Sequence, residues 1–196
     1  MKIGTIVASN SHISYLCRVF GRLESQSPPE PDDFAFGTFV SIRPVENGAE
    51  RLIGVVRDTV LVNPEYGQIG PRLSSDRDLE VFSPDYLDEK GTLVEVLVLG
   101  WRDGDRTIHR VPPLAAQVGN PVETVPRDEI VAFHRDSAGR FFMGYLPQLV
   151  ARPDPVVAGL LLGILDRLEP DFRADDRVID VLRRNLAWKA HVVPAG

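Results

Sequence analysis

Up to about residue 149 the apolar positions follow the two-residue period of strands, and beyond it they follow the period of helices. KIGTIVAS (2–9) alternates, and SYLCRVFGRL (14–23) is rich in β-branched and aromatic residues. AFGTFVSIR (35–43) sets Phe36 and the Phe39-Val40 pair beside a glycine. Between the last two lies ESQSPPEPDD (24–33), proline-rich and acidic, which predicts a surface loop. ERLIGVVRDTVLVN (50–63) is a long strand signal whose Gly54 predicts a bulge or sharp bend, and a turn-rich segment follows from Asn63 to Leu79. In GTLVEVLVLGWRDGDRTIHRV (91–111), two runs flank the Asp-Gly pair at 103–104, a hairpin signal because glycine supplies the positive φ of the turn. Val94, Val96 and Val98 fall on one face and Leu93, Glu95, Leu97 and Leu99 on the other, so this strand is expected in the middle of a sheet. EIVAFHRDSAGRFFMGYL (129–146) predicts a second hairpin turning at Ser137-Ala138-Gly139.

Six or more strands joined by hairpins predict a mainly β fold: a small closed antiparallel β-barrel of six to seven strands over residues 1–150. Residues 151–196 predict a helical hairpin, with ARPDP (151–155) as the seam. Asp154 is a fitting N-cap before Pro155, and Val156, Val157, Leu160, Leu161, Leu162, Ile164 and Leu165 make the first helix apolar on nearly every side up to Pro170. In the second helix, from about Asp176, the stripe is Val178, Ile179, Leu182 and Leu186, with Arg183, Arg184 and Lys189 toward the C-terminal end.

Composition narrows the class of function. A formal net charge of −6 over 196 residues argues against a generic nucleic-acid coat, whose affinity comes from phosphate neutralisation by lysine and arginine. The lone Cys17 forms no intrachain disulfide, and in its apolar run it reads as a small buried hydrophobe. The N-terminal apolar run is too short for a secretory signal and no stretch reaches the roughly 20 apolar residues of a membrane span, so a cytoplasmic protein without membrane contact is expected.

Chemistry is sparse. His12, His109, His134 and His191 stand apart from one another and from Cys17 at metal-ligand spacing, so no metal and no cofactor is expected. His109-Arg110 and His134-Arg135 flank a proline-rich stretch on expected neighbouring strands, a candidate anion contact, against the reading that they are the polar faces of half-exposed strands. SNSH (9–12) sits where the first strand must turn. The carboxylates Asp32-Asp33, Asp85-Asp88-Glu89 and Asp175-Asp176 lie in loops or at a helix start, where solvation or capping accounts for them. The absence of Gly-x-x-x-x-Gly-Lys-Ser/Thr removes the phosphate cradle of nucleotide hydrolysis, and GLLLG (159–163) reads as helix packing. The chain is read as a non-enzyme.

One stretch concentrates rigidity. TIHRVPPLAAQVGNPVETVPRDEI (107–130) sets Pro112-Pro113 and Gly119-Asn120-Pro121 between strand signals, a device for an extended crossing that needs no ladder hydrogen bonds. Together with IGTIVAS, FGTFVSI, RLIGVVRDT and GRFFMGYL, in that order over residues 1–148, it resembles the HAS-barrel that precedes the motor of HerA-type hexameric DNA translocases, itself similar to the N-terminal barrels of rotary ATP synthase subunits. The resemblance implies a non-catalytic assembly module linked to DNA translocation and repair, here without the motor; the helical tail and the ending HVVPAG favour a free-standing relative. The partners it implies are further copies of the chain, a motor ATPase or a nuclease. Val157, Leu161 and Ile164 on the apolar helix are the candidate self-interface, with burial of that helix inside the monomer as the competing expectation. The alternative is a nucleic-acid-binding barrel of the oligonucleotide-binding type, with Phe39, Trp101 and Phe141 as stacking platforms.

Overall fold

The computed structural model describes residues 1–22, 24–45, 48–63, 91–151 and 154–192, excluding the side chains of residue 155 and of 189–192. Among the described residues the strands are β1 (Lys2–Ser11), β2 (Ser14–Val19), β3 (Phe39–Ile42), β4 (Glu50–Val62), β5 (Gly91–Asp103), β6 (Arg106–Ile108) and β7 (Pro121–Thr124). Their order is β2-β1-β7-β3-β4-β5-β6, and a further β2–β5 pairing joins the ends, so six antiparallel strands close a barrel with β6 attached to β5 as an extra strand. The antiparallel barrel and the helical tail agree with the sequence expectation. The turn-rich segment beyond Asn63 and the acidic group Asp85-Asp88-Glu89 lie outside the described residues.

Side chains alternate across the barrel wall as the pleat requires. Inside, all six barrel strands contribute: Ile3 and Ile6, Tyr15 and Cys17, Val40 and Ile42, Leu52 and Val56, Val94, Val96 and Val98, and Val122. Outside, Phe39, Ile53, Val55, Leu97 and Leu99 form a second apolar face, which the helices cover in a single core. These helices are α1 (Arg127–Phe133), α2 (Leu146–Val150), α3 (Pro155–Leu168) and α4 (Asp176–Val192).

Two register shifts shape the β4–β5 ladder. Ile53 pairs Gly100 while Gly54 pairs Val98, leaving Leu99 as the extra residue, and Val56 pairs Val96 while Asp58 pairs Glu95, leaving Arg57 as the extra residue. Gly54 therefore sits at a bulge, as expected, although close approach is what demands glycine there. A Cβ at Gly54 would lie 2.8 Å from Val96 Cγ1 and 2.9 Å from the Leu97 carbonyl oxygen. The Asp-Gly hairpin is also present, with Gly104 at φ 55°.

Three expectations are corrected. Residues 129–133 are helical: extended Pro126 precedes α1, Asp128 and Glu129 occupy its first turn, and Ile130, Phe133 and His134 share its buried side at spacings of three and four. What remains of the second hairpin is the single bridge Arg135–Phe141, its turn closed by Asp136, whose side chain accepts from the Ala138 and Arg140 N–H groups. Second, Val157, Leu161 and Ile164 are buried within the chain's own core, because α4 and the outer barrel face together cover α3. The side of α3 left exposed carries Val156, Gly159, Gly163, Asp166 and Arg167, so the glycines of GLLLG face outward and, among the described residues, pack on nothing. Asp154 caps α3 as expected, accepting from the Val156 N–H at 2.9 Å. Third, Ile179 and Leu186 of α4 point into the core while Val178 stands exposed, off the expected stripe.

Replacing Gly54 by Val forces a branched side chain against Val96 and the β5 backbone. The expected cost is about 1–3 kcal/mol, the range for overpacking, read as a lowered denaturant midpoint with an unchanged slope. An unaltered midpoint would show that the strands separate there at no cost.

Candidate functional site: a histidine pair at the barrel–helix junction

The helix α1 carries His134 at its C-cap, where the ring turns inward. Its Nδ1 lies 2.7 Å from the Ile130 carbonyl oxygen and its Nε2 lies 2.8 Å from the Tyr145 hydroxyl. A carbonyl only accepts, so Nδ1 carries the proton and Nε2 accepts from Tyr145. His109, just after β6, has Nε2 2.8 Å from the Phe133 carbonyl oxygen, while its Nδ1 accepts from the Gly144 N–H at 2.9 Å. The same reasoning protonates Nε2. The two rings stand 6.0 Å apart between centroids, and Phe142 stacks on His109 at 5.0 Å and 8°. A Cβ at Gly144 would fall 2.5 Å from the Phe142 ring, so any larger residue there would push that ring off His109.

All four ring nitrogens are thus committed within the chain while both rings are neutral. Burial opposes the charged forms: the His109 pKa falls to about 4, with the Phe133 carbonyl working weakly against the shift. His134 falls to about 3, again chiefly by burial, which outweighs the helping Ile130 carbonyl. Burial likewise pushes the Tyr145 hydroxyl well above its usual range, so it remains a donor to His134. No ring nitrogen is left to act as a base, bind a metal or meet an anion.

The structure therefore brings His109 and His134 together but places them in the core, correcting the expectation of half-exposed neighbouring strands. Their arginines do not join them. Arg110 is exposed, and Arg135 donates to the Gly139 carbonyl oxygen at 3.0 Å with its guanidinium 5.1 Å from the Phe172 ring centre. His12 holds the proline-rich crossing, its Nε2 2.8 Å from the Pro112 carbonyl oxygen. Tyr15 helps by donating to the His12 carbonyl oxygen and accepting from the Ala116 N–H. The side chain of His191 lies outside the described part. Cys17 is buried inside the barrel, its thiol pushed up to about 12 by burial, as befits a small hydrophobe. Asp175, expected to be solvated or capping at a helix start, instead accepts from the Phe141 N–H at 2.9 Å and ties that segment to the helical tail.

A second polar cluster was not singled out in the sequence. Glu95 stands alone on the outward face of β5, where its Oε1 accepts from the Ser14 hydroxyl and its Oε2 lies 3.2 Å from Arg57 Nε. Arg57, displaced by the bulge, also reaches Asp154 at 3.4 Å, so one guanidinium joins two barrel strands to the cap of α3. The signal available was the single acid in the run VEVLVL, since a carboxylate on an apolar face needs a buried partner. Among the described residues no group of three or more His, Cys, Asp or Glu side chains is placed to hold a metal ion, and no helix is long and apolar enough to cross a membrane.

A family model described as a domain of unknown function, DUF8166, matches residues 1–195. The chain belongs to the DUF8166 family. No curated protein matches it. The barrel, the buried histidine pair and the helical cover all fall within the DUF8166 match.

The histidines make a pH prediction with a definite sign. Their folded pKa values lie below the unfolded value of 6.5, so their contribution is complete above pH 6.5 and is lost as the pH falls toward 4, because only the unfolded chain takes up the protons. Within that window each histidine makes unfolding easier by up to about 1.4 kcal/mol per pH unit. His134→Gln should flatten the dependence between pH 6.5 and 5 in chemical denaturation; an unchanged slope would contradict the assignment. Tyr145→Phe leaves His134 Nε2 without a donor and should cost about 1–3 kcal/mol at neutral pH, measured the same way.

Proposed function

We propose that the chain is a non-catalytic assembly module resembling the HAS-barrel of HerA-type DNA translocases, acting in DNA processing or repair beside a motor ATPase or nuclease. The observation that carries this reading is that His109, His134, the Tyr145 hydroxyl and the Glu95 carboxylate are each engaged by groups of the chain itself. A closed antiparallel barrel filled by side chains from its own strands supports the same reading, since such a body presents surfaces in place of a reaction cavity. The resemblance in the order of sequence elements supplies the link to DNA translocation. The expected location is the cytoplasm.

The alternative, a nucleic-acid-binding barrel, has lost two of its three stacking platforms. Phe39 and Phe141 are buried, and Trp101 is half-buried against the barrel core. The net charge of −6 opposes it as well.

Three measurements with the purified chain separate the readings. Calorimetry with ATP and Mg²⁺ should show no saturable binding at micromolar concentration, and fluorescence anisotropy with short single- and double-stranded DNA at low salt should show no specific complex. Sedimentation with a HerA-type motor ATPase should show a joint species. Tight DNA binding without a motor complex would replace the assembly reading with the alternative, and nucleotide turnover would overturn both.

A further inference from the structure

Along the outer side of α4, Arg177, Val181, Arg184 and Trp188 follow one another at steps of four, three and four residues, which sets them in one line along the helix. Val181 is 57% exposed and Trp188 66%. Among the described residues Arg177 and Arg184 make no ion pair, whereas Arg183 beside them is held by Asp166, Glu169 and Asp180. The ridge thus alternates free cations with large apolar groups, a combination enriched where proteins dock.

The complementary chemistry is present on the same chain. Residues 28–36 contain Pro28, Pro29 and Pro31, whose fixed φ angles stiffen the loop. The Glu30 N–H donates to Asp33 at 2.8 Å, and the carbonyl oxygen of Gly37 accepts from Arg167 of α3 at 2.8 Å, anchoring the loop's far end. From this rigid frame Glu30 and Asp32 project into solvent, and Phe36 is 50% exposed. Little conformational freedom remains for a partner to remove.

We propose that the α4 ridge docks the acidic, proline-stiffened loop of a second copy of this chain. Arg177 and Arg184 meet Glu30 and Asp32, while Trp188 and Val181 cover Phe36. Ridge and loop are different surfaces, so the contact runs head to tail, and each copy keeps one free ridge and one free loop for further copies. One aromatic cluster and two ion pairs make a small interface, which places the association in the weak class. The proposal deepens the assembly reading and rests on it.

Sedimentation velocity on the full chain, from micromolar to hundreds of micromolar, tests it. The average mass should rise with concentration. Trp188→Ala, Arg184→Glu and Asp32→Arg should each weaken self-association about tenfold or more, with circular dichroism melting unchanged because all three sites are exposed. The deciding experiment mixes Arg184→Glu with Asp32→Arg: each alone repels itself, whereas together the reversed ridge of one meets the reversed loop of the other, and association should return. A wild-type chain monomeric throughout, variants that associate like the wild type, or a mixture that fails to recover would overturn the proposal. Loss of DNA affinity in the ridge variants with no change in mass would overturn it too, assigning the ridge to nucleic acid. A monomeric chain that still joined a motor ATPase would refute self-docking while leaving the assembly reading intact.

Discussion

The fold depends on one constraint: the β4–β5 pair is apolar on both faces. Leu52, Val56, Val94, Val96 and Val98 point one way, and Ile53, Val55, Leu97 and Leu99 point the other. The first set is buried by closing the sheet on itself through the β2–β5 pairing. Closure does nothing for the second set. Fully burying a branched aliphatic side chain contributes about 1.5–3 kcal/mol, so leaving four exposed would forfeit about 6–12 kcal/mol, comparable with the roughly 5–15 kcal/mol net stability of a typical domain. The helices are therefore a second wall of the barrel, and α3 is apolar on most of its circumference because it meets the barrel on one side and α4 on another.

This second wall also explains where the polar groups sit. Running the chain from the extra strand β6 across to α1 and back brings backbone carbonyls and N–H groups into an apolar interface, and these need partners. His109 and His134 supply them with two-ended rings, each donating to one backbone carbonyl and accepting at the opposite nitrogen. Glu95 faces the same side of the barrel and is met by an arginine that the bulge at Arg57 turns toward it. The two clusters are joints between barrel and helices.

Much of the barrel was legible because its signals are local. The two-faced run at 93–99, the Asp-Gly turn and the bulge at Gly54 each follow from a few adjacent residues, whereas the close approach that demands glycine at 54 involves Val96 and Leu97 of another strand. The helix α1 was not legible as such, since EIVAF contains β-branched and aromatic residues that suit a strand, and only the tertiary position of Ile130, Phe133 and His134 on one side of a turn reveals the helical period. The histidine pair was half legible: the two residues were singled out together, but burial, which sets their charge and role, depends on Phe142 and Tyr145 folding back over them. Burial of Val157, Leu161 and Ile164 could not be read from α3 alone, because it depends on the outward face of strands a hundred residues earlier.

If the helices form the barrel's second wall, helix and strand amides must open together. Native-state hydrogen exchange measures this directly by comparing the backbone amides of Leu160, Leu161 and Leu165 in α3 with those of Val96 and Val98 in β5. Equal opening free energies, both matching global unfolding, are what the account predicts. Exchange of the α3 amides through a lower-energy opening, with the β5 amides still protected, would contradict it.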